Sequence, residues 1–335
     1  MQRRPPSFAL ARLGVSRPDP SSLVRFSILL PSSEGKQTGG NPLAPDMFDY
    51  RSSNTFNYFH DLNPERRALI DALQSQVRDG GEQELSKLFG VKGETLQAAV
   101  DATGEIYRSP LMAAIDRYNP GVMYAAMQFP ELPTGAQRRL LENGVILSGL
   151  FGLLRPDDLI PNYRLKIDAS VDGVGRASTY WKPVISPVLN KLLTGQVVWN
   201  LLPSAHAATW SDEETYARMF ILKFYKEDES GERKSVSHGV KELRGALVHH
   251  IVIELPETVE DLMEWEAPDG YEVDLEASEI DEETGGGTIV MVSRPGWEQR
   301  RAARRKARAE AEAEAEAAKR AREDDDDDSS DEEEE

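Results

Sequence analysis

Apolar positions along the chain come in two rhythms. Short runs stop abruptly at small polar residues: RFSILLP (25–31), GVILSGLFGLLRP (144–156) and QVVWNLLP (196–203). Continuous apolar runs of this length bounded by turn residues predict strands buried on both faces. RMFILKFYK (218–226) instead alternates, which predicts a strand near the sheet edge.

Longer segments carry apolar residues every three to four positions and predict helices. NPERRALIDALQSQVRDG (63–80) has Asn63 placed as a cap and Pro64 at the first helical position. Residues 82–109 predict two helices hinged at Gly90 to Gly93, and 110–118, 133–144 and 239–253 predict further ones. TYWKPVISPVLNKLL (179–193) is expected to be helical after Pro183, and VMYAAMQF (122–129) fits either element. GYEVDLEAS and GTIVMVSRP are expected to close the domain as a hairpin. Short buried strands among helices predict a mixed α/β (α+β) fold, a mixed sheet flanked by helices.

Charge divides the 335-residue chain into four parts. Its net charge is −19, yet residues 1–25 carry +4, 26–296 carry −16, 297–322 carry +4, and the final stretch from Glu323 carries 11 acids with no base. The expected organisation is a disordered extension or early start codon over 1–25, one domain over 26–296, a solvated charged helix over 297–322 and a disordered acidic tail over 323–335. An acidic domain repels a phosphate backbone at long range, so nucleic-acid binding needs a local basic patch or backbone amides. The chain has no cysteine, which excludes disulfides and thiol nucleophiles. No apolar run reaches the roughly 18 residues of a membrane span, and the apolar stretch Phe8 to Leu13 is short for a signal peptide. A cytoplasmic protein with no membrane contact and no cofactor is the expectation.

The three buried runs end alike, at Ser32 and Ser33, at Ser148 and at Ser204. In open α/β sheets ligands gather beyond the carboxyl ends of the strands, so these ends are candidates for one cleft. Ser33, Lys36, Arg155, Arg164, Ser204 and Lys241 are the candidate anion-binding residues, because lysine and arginine donors suit a carboxylate or phosphate. The stretch Glu34-Gly35-Lys36 is not a Walker loop: Leu30 stands where its first glycine belongs and Gln37 where Ser or Thr must follow the lysine. His238, at a helix start with Lys241 and Arg244 at three-residue steps, is the candidate proton carrier. The five histidines show no metal-ligand spacing, and no metal site is assigned, although His206 or His238 with Glu34 is a conceivable iron pair.

Taken together, LLPSSEGK (29–36), LSGLFGLLRPDDLIPNYRLK (147–166), TYWK (179–182), NLLPSAHA (200–207) and SVSHGVKELRGALVHHI (235–251) resemble the YaaA peroxide-stress family over roughly residues 26–275. The resemblance implies a cytosolic protein that limits iron-linked oxidative damage, a fold of its own type, and DNA binding through a helix-hairpin-helix-like element. Here that element falls at LFGVKGETLQAA (88–99), making Gly90, Lys92 and Gly93 the candidate DNA contacts; the glycine spacing departs from the usual Gly-x-Gly. Three readings follow: a DNA-binding stress protein, an enzyme acting on a small anionic metabolite or nucleotide, and an interaction protein working through its charged tail. The sequence leaves catalysis and oligomeric state open.

Overall fold

The computed structural model describes residues 25–42, 58–236, 239–307, 309, 310 and 313. The expected extension up to residue 24, the acidic end and His238 lie outside the described residues.

The buried runs pair with one another. A nine-stranded mixed sheet contains β1 (Phe26–Pro31), β2 (Gly144–Ser148), β3 (Gly152–Leu154), β4 (Val197–Asn200), β5 (Arg218–Glu227), β6 (Arg233–Ser235), β7 (Tyr271–Val273), β8 (Glu279–Ile280) and β9 (Gly287–Ser293). The order along the main path is β7-β9-β5-β4-β1-β2-β3, with β6 on β5 and β8 on β9. The β1, β2, β4, β5 and β9 strands run parallel to their neighbours in that core, and β3, β6, β7 and β8 pair antiparallel. Ile28, Leu29, Leu30, Ile146, Leu147, Val198 and Trp199 are fully buried, as a strand covered on both faces requires.

Helices cover the sheet: α1 (Asn63–Asp79), α2 (Glu82–Phe89), α3 (Gly93–Gly104), α4 (Ala114–Arg117), α5 (Val122–Ala126), α6 (Thr134–Asn143), α7 (Ala177–Leu193), α8 (Ser204–Ala207), α9 (Val240–Glu254) and α10 (Val259–Met263). The predicted mixed α/β class and the hinge between α2 and α3 are both present.

Four local expectations are corrected. β5 is not at an edge, since it lies between β4 and β9; its alternation, with Phe220, Leu222 and Phe224 buried, reports one covered face. α7 begins at Ala177 and runs through Pro183 and Pro187, because buried Trp181, Ile185 and Leu189 hold consecutive turns against the core. Asn63 does not cap α1; its Oδ1 accepts from Nη1 of buried Arg66 at 2.9 Å, and the cap position falls to Leu62. The charged helix, described from 297 to 307, is solvated only in part: residues 302–307 are exposed, but the Trp297 ring packs on Gly270, Arg304 pairs with Glu272 at 2.9 Å, Arg305 pairs with Glu266, and Arg301 donates to the Ala267 carbonyl.

Arg66 ties the β2–β3 turn to α1. Fully buried, it donates from Nε to the Phe151 carbonyl at 2.9 Å and from Nη2 to the Leu153 carbonyl at 2.6 Å. It thereby links α1 to two backbone acceptors, one in the turn and one in β3.

A cleft beyond the ends of three parallel strands

β1 sits between β2 and β4, parallel to both, so the three serine-terminated runs end side by side. The chain leaving each strand is tied to its neighbour: Ser32 N donates to the Leu147 carbonyl at 3.0 Å, and Leu201 N to the Leu29 carbonyl at 3.1 Å. The Ser33 hydroxyl rests on Gly121, where a Cβ would stand 2.1 Å from its Oγ, so the site tolerates no side chain there.

Below this rim lies a chain of buried hydroxyls. Tyr118 and Tyr163 are 2.5 Å apart at their oxygens, Ser148 Oγ is 2.8 Å from Tyr163 Oη, and the Ser32 hydroxyl also bonds Tyr163. Burial pushes both phenols up from their ordinary range, so they remain neutral.

Lys36 lies over them. Its Nζ is 4.1 Å from the centre of the Tyr163 ring and 5.6 Å from that of Tyr118, and it donates to the Ser33 carbonyl at 2.9 Å. The residue as a whole is half-buried, but the ammonium is in the enclosed part. That desolvation, helped by the charges of Arg164 and Arg117 and opposed by Glu34, brings its pKa down to about 7.

Arg164 and Lys166 form the next layer. Residues 163–167 alternate, with Tyr163, Leu165 and Ile167 buried and Arg164 and Lys166 turned the other way. Both cations reach Glu34, Arg164 Nη2 at 3.1 Å and Lys166 Nζ at 3.5 Å. They also border the hairpin between α2 and α3: Arg164 Nε donates to the Phe89 carbonyl at 3.1 Å, and a Cβ on Gly90 would stand 3.1 Å from Lys166 Nζ. Gly90 has a φ of +67°, the left-handed conformation that ends α2 and suits glycine.

On the β4 side, Ser204 opens the short α8, which carries His206. Neither ring nitrogen of His206 has a hydrogen-bond partner, and both are buried. Its pKa falls to about 4, chiefly through burial; Arg244 and Lys241 add to the fall while Asp168 and Glu34 oppose it. At neutral pH this imidazole is uncharged.

The structure therefore brings Ser33, Lys36 and Arg164 together, with Gly90 at the border and the charge of Lys241 felt at His206. Lys92 is exposed beside Gly93 on the hairpin. Arg155 is not part of this cluster. β3 runs back from Ser148, so Arg155 follows it at the opposite end of the sheet, where it donates to the Leu141 carbonyl, pairs with Asp157 at 3.3 Å and stacks on Tyr58. Tyr118, Arg117, Lys166 and Asp168 were not singled out from the sequence; the alternation in YRLKI (163–167) was the available signal for Lys166. Among the described residues, no three or more His, Asp or Glu side chains stand together as metal ligands, and no helix is long and apolar enough to cross a membrane.

The loop, the hydroxyl ladder and the strand order coincide with a family match. A family model described as peroxide stress protein YaaA matches residues 26–277. The chain belongs to the YaaA family. A UPF0246 protein of Streptomyces coelicolor is 29% identical over 255 residues, covering 75% of this chain and 92% of the relative. An uncharacterized protein of Campylobacter jejuni is 27% identical over 226 residues, covering 67% and 83%. A UPF0246 protein of Neisseria meningitidis serogroup B is 31% identical over 203 residues, covering 56% and 77%. The YaaA match includes every cleft residue named above and stops before β8, β9 and the docked helix.

Proposed function

We propose that this YaaA-family chain acts in the peroxide-stress response by binding the phosphate backbone of DNA, without strong sequence preference, at the α2–α3 hairpin and the cations beside it. The observation that carries this reading is the position of Arg164 and Lys166 against Phe89 and Gly90. Two cations and the exposed Lys92 border backbone N–H groups at the start of a 12-residue helix, the donor set a phosphate takes. The net −16 of residues 26–296 makes the contact local and short-ranged. Limiting iron-linked damage would then follow from covering DNA, in the cytoplasm.

Glu34 competes for the same cations. More than half of its side chain is exposed, and exposed pairs of this kind are worth about 0–1 kcal/mol, so a phosphate can displace it. Fluorescence anisotropy of a labelled duplex across a salt series tests the reading. Binding should weaken steeply with salt, and Lys166→Ala should reduce the log–log slope by about 0.9. Glu34→Gln should tighten binding about threefold, within the range of one exposed ion pair. No binding at low salt, or an unchanged slope in Lys166→Ala, ends this proposal.

A second reading, an enzyme acting on a small anionic metabolite, is favoured by His206, whose neutral imidazole keeps both nitrogens unpartnered among Asp168, Lys241 and Arg244. An uncharged imidazole with open nitrogens can accept a proton, though at a pKa of about 4 it does so as a weak base. Saturable protection of His206 from diethyl pyrocarbonate by nucleotides or sugar phosphates would support it, and no protection would count against it.

A further inference from the structure

We propose that Lys36 is an amine nucleophile for small aldehydes that carry a carboxylate or phosphate, forming an imine at Nζ while Arg164 and Lys166 hold the anionic end. This goes beyond DNA binding and does not depend on it. Lys36 reads at first as an anion ligand, but its surroundings suit a different task. An ammonium meant to hold an anion gains from solvent and carboxylates that keep it charged. This one is enclosed between two tyrosine rings, with guanidinium groups from two directions.

The groups that face Nζ are few. Glu34 and the Ser33 carbonyl come from its own loop, Arg117 and Tyr118 from α4 and the residue that ends it, and Tyr163 and Arg164 from the extended segment after β3. Among the charged groups Glu34 alone favours the charged amine, and it is already engaged by Arg164 and Lys166. Arg117 is fixed by bonds to the Pro110, Ile160 and Gln37 carbonyls, so its positive charge cannot swing away. An amine left partly neutral at pH 7 by burial and neighbouring cations is the activated form of a lysine nucleophile. One N–H donated to the Ser33 carbonyl fixes the nitrogen and leaves its lone pair free.

The step balances without a further reagent. The Nζ lone pair forms a C–N bond to the aldehyde carbon as the C=O pair moves onto oxygen. The two amine protons end on that oxygen, the C–O bond breaks, and water leaves as C=N forms. Arg164 and Lys166 give the substrate class: freed from Glu34, they offer paired donors to a carboxylate or phosphate on the same small molecule.

The test uses the full chain, glyoxylate and cyanoborohydride, which reduces the imine to a stable carboxymethyl amine, followed by peptide mass spectrometry. At pH 7, Lys36 should be labelled about tenfold faster than any other lysine, because an ordinary lysine there is almost wholly protonated. Its labelling should rise through about pH 7. Propanal, a neutral aldehyde, should label Lys36 more slowly than glyoxylate, and Lys36→Arg should abolish the modified peptide. Labelling spread evenly over the exposed lysines, or a Lys36 rate that climbs only toward pH 10, overturns the nucleophile. Equal rates with propanal and glyoxylate overturn the anionic class. The mapping is read on the unsubstituted chain, so it stands even where a variant fails to fold, and DNA affinity is measured apart from it.

Discussion

Two clusters of cations among the described residues treat charge in opposite ways. In the cleft, Lys36, Arg117, Arg164 and Lys166 converge, with Glu34 shared by Arg164 and Lys166, and burial makes charge costly enough to bring the Lys36 pKa down to about 7. On the docked helix, Arg304 and Arg305 each have their own acid, Glu272 and Glu266, and Arg301 stacks on Trp297. That helix borders an acidic hollow of about 1040 Å³ that includes Glu257, Glu260, Asp261 and Glu264. A count of basic residues favours the helix, whereas the number of cations left without a dedicated partner favours the cleft. Desolvation with few counter-charges is what makes cations available for a ligand or for chemistry.

The largest effect should come from the arginine that underlies the cleft without lining it. Arg66→Met removes the charged donors to the Phe151 and Leu153 carbonyls and to Asn63 Oδ1. The expected loss is about 3 kcal/mol in urea unfolding, from three buried hydrogen bonds to a charged donor. A loss near zero would mean that the β2–β3 turn is held by apolar packing, and that buried charge is as dispensable here as on the helix.

Lys36 gives the next contrast, and its sign is specific. Its pKa is about 7 in the folded protein against an ordinary 10.5, so below pH 7 folding must bury the charged amine. That penalty fades as pH rises from 7 to 10.5, because the unfolded chain binds more protons than the folded one in that window. Lys36→Met should therefore be more stable than the parent by about 2 kcal/mol at pH 6, after allowing for the lost ring and Ser33 contacts, and the gain should vanish near pH 10.5. A pH-independent difference would show that the lysine is not held against its charge.

How far the cleft was legible from sequence depends on the range of the contacts. The apolar runs fixed β1, β2 and β4 because burial on both faces is a local pattern, and their serine ends pointed to a shared rim. The adjacency of Ser33, Lys36 and Arg164 followed once the strands were taken as neighbours. Arg155 misled because nothing local reveals that the chain reverses at Gly149 to Phe151 and carries it to the far end of the sheet. Tyr118 and Arg117 stayed hidden for a similar reason, since a tyrosine just after a four-residue helix shows its role only through Tyr163, 45 residues away. Asn63 and Pro183 show tertiary packing overriding good local rules: one found Arg66 instead of a helix end, and the other was carried inside α7 by its buried neighbours.

The smallest expected effect sharpens the comparison from the other side. Arg304→Gln with Arg305→Gln removes two ion pairs whose arginines are each more than 60% exposed. Such pairs lose to salt screening and side-chain entropy most of what they gain in attraction. The midpoint of thermal unfolding at physiological salt should not move measurably, whereas Trp297→Ala should lower it, because that ring covers Gly270 and supports Arg301. The same double substitution should leave the salt slope of DNA binding unchanged, since these arginines are already occupied by Glu272 and Glu266. A smaller slope would mean that DNA outcompetes both acids and that the helix lends its arginines to the phosphate backbone, which would merge the two surfaces into one.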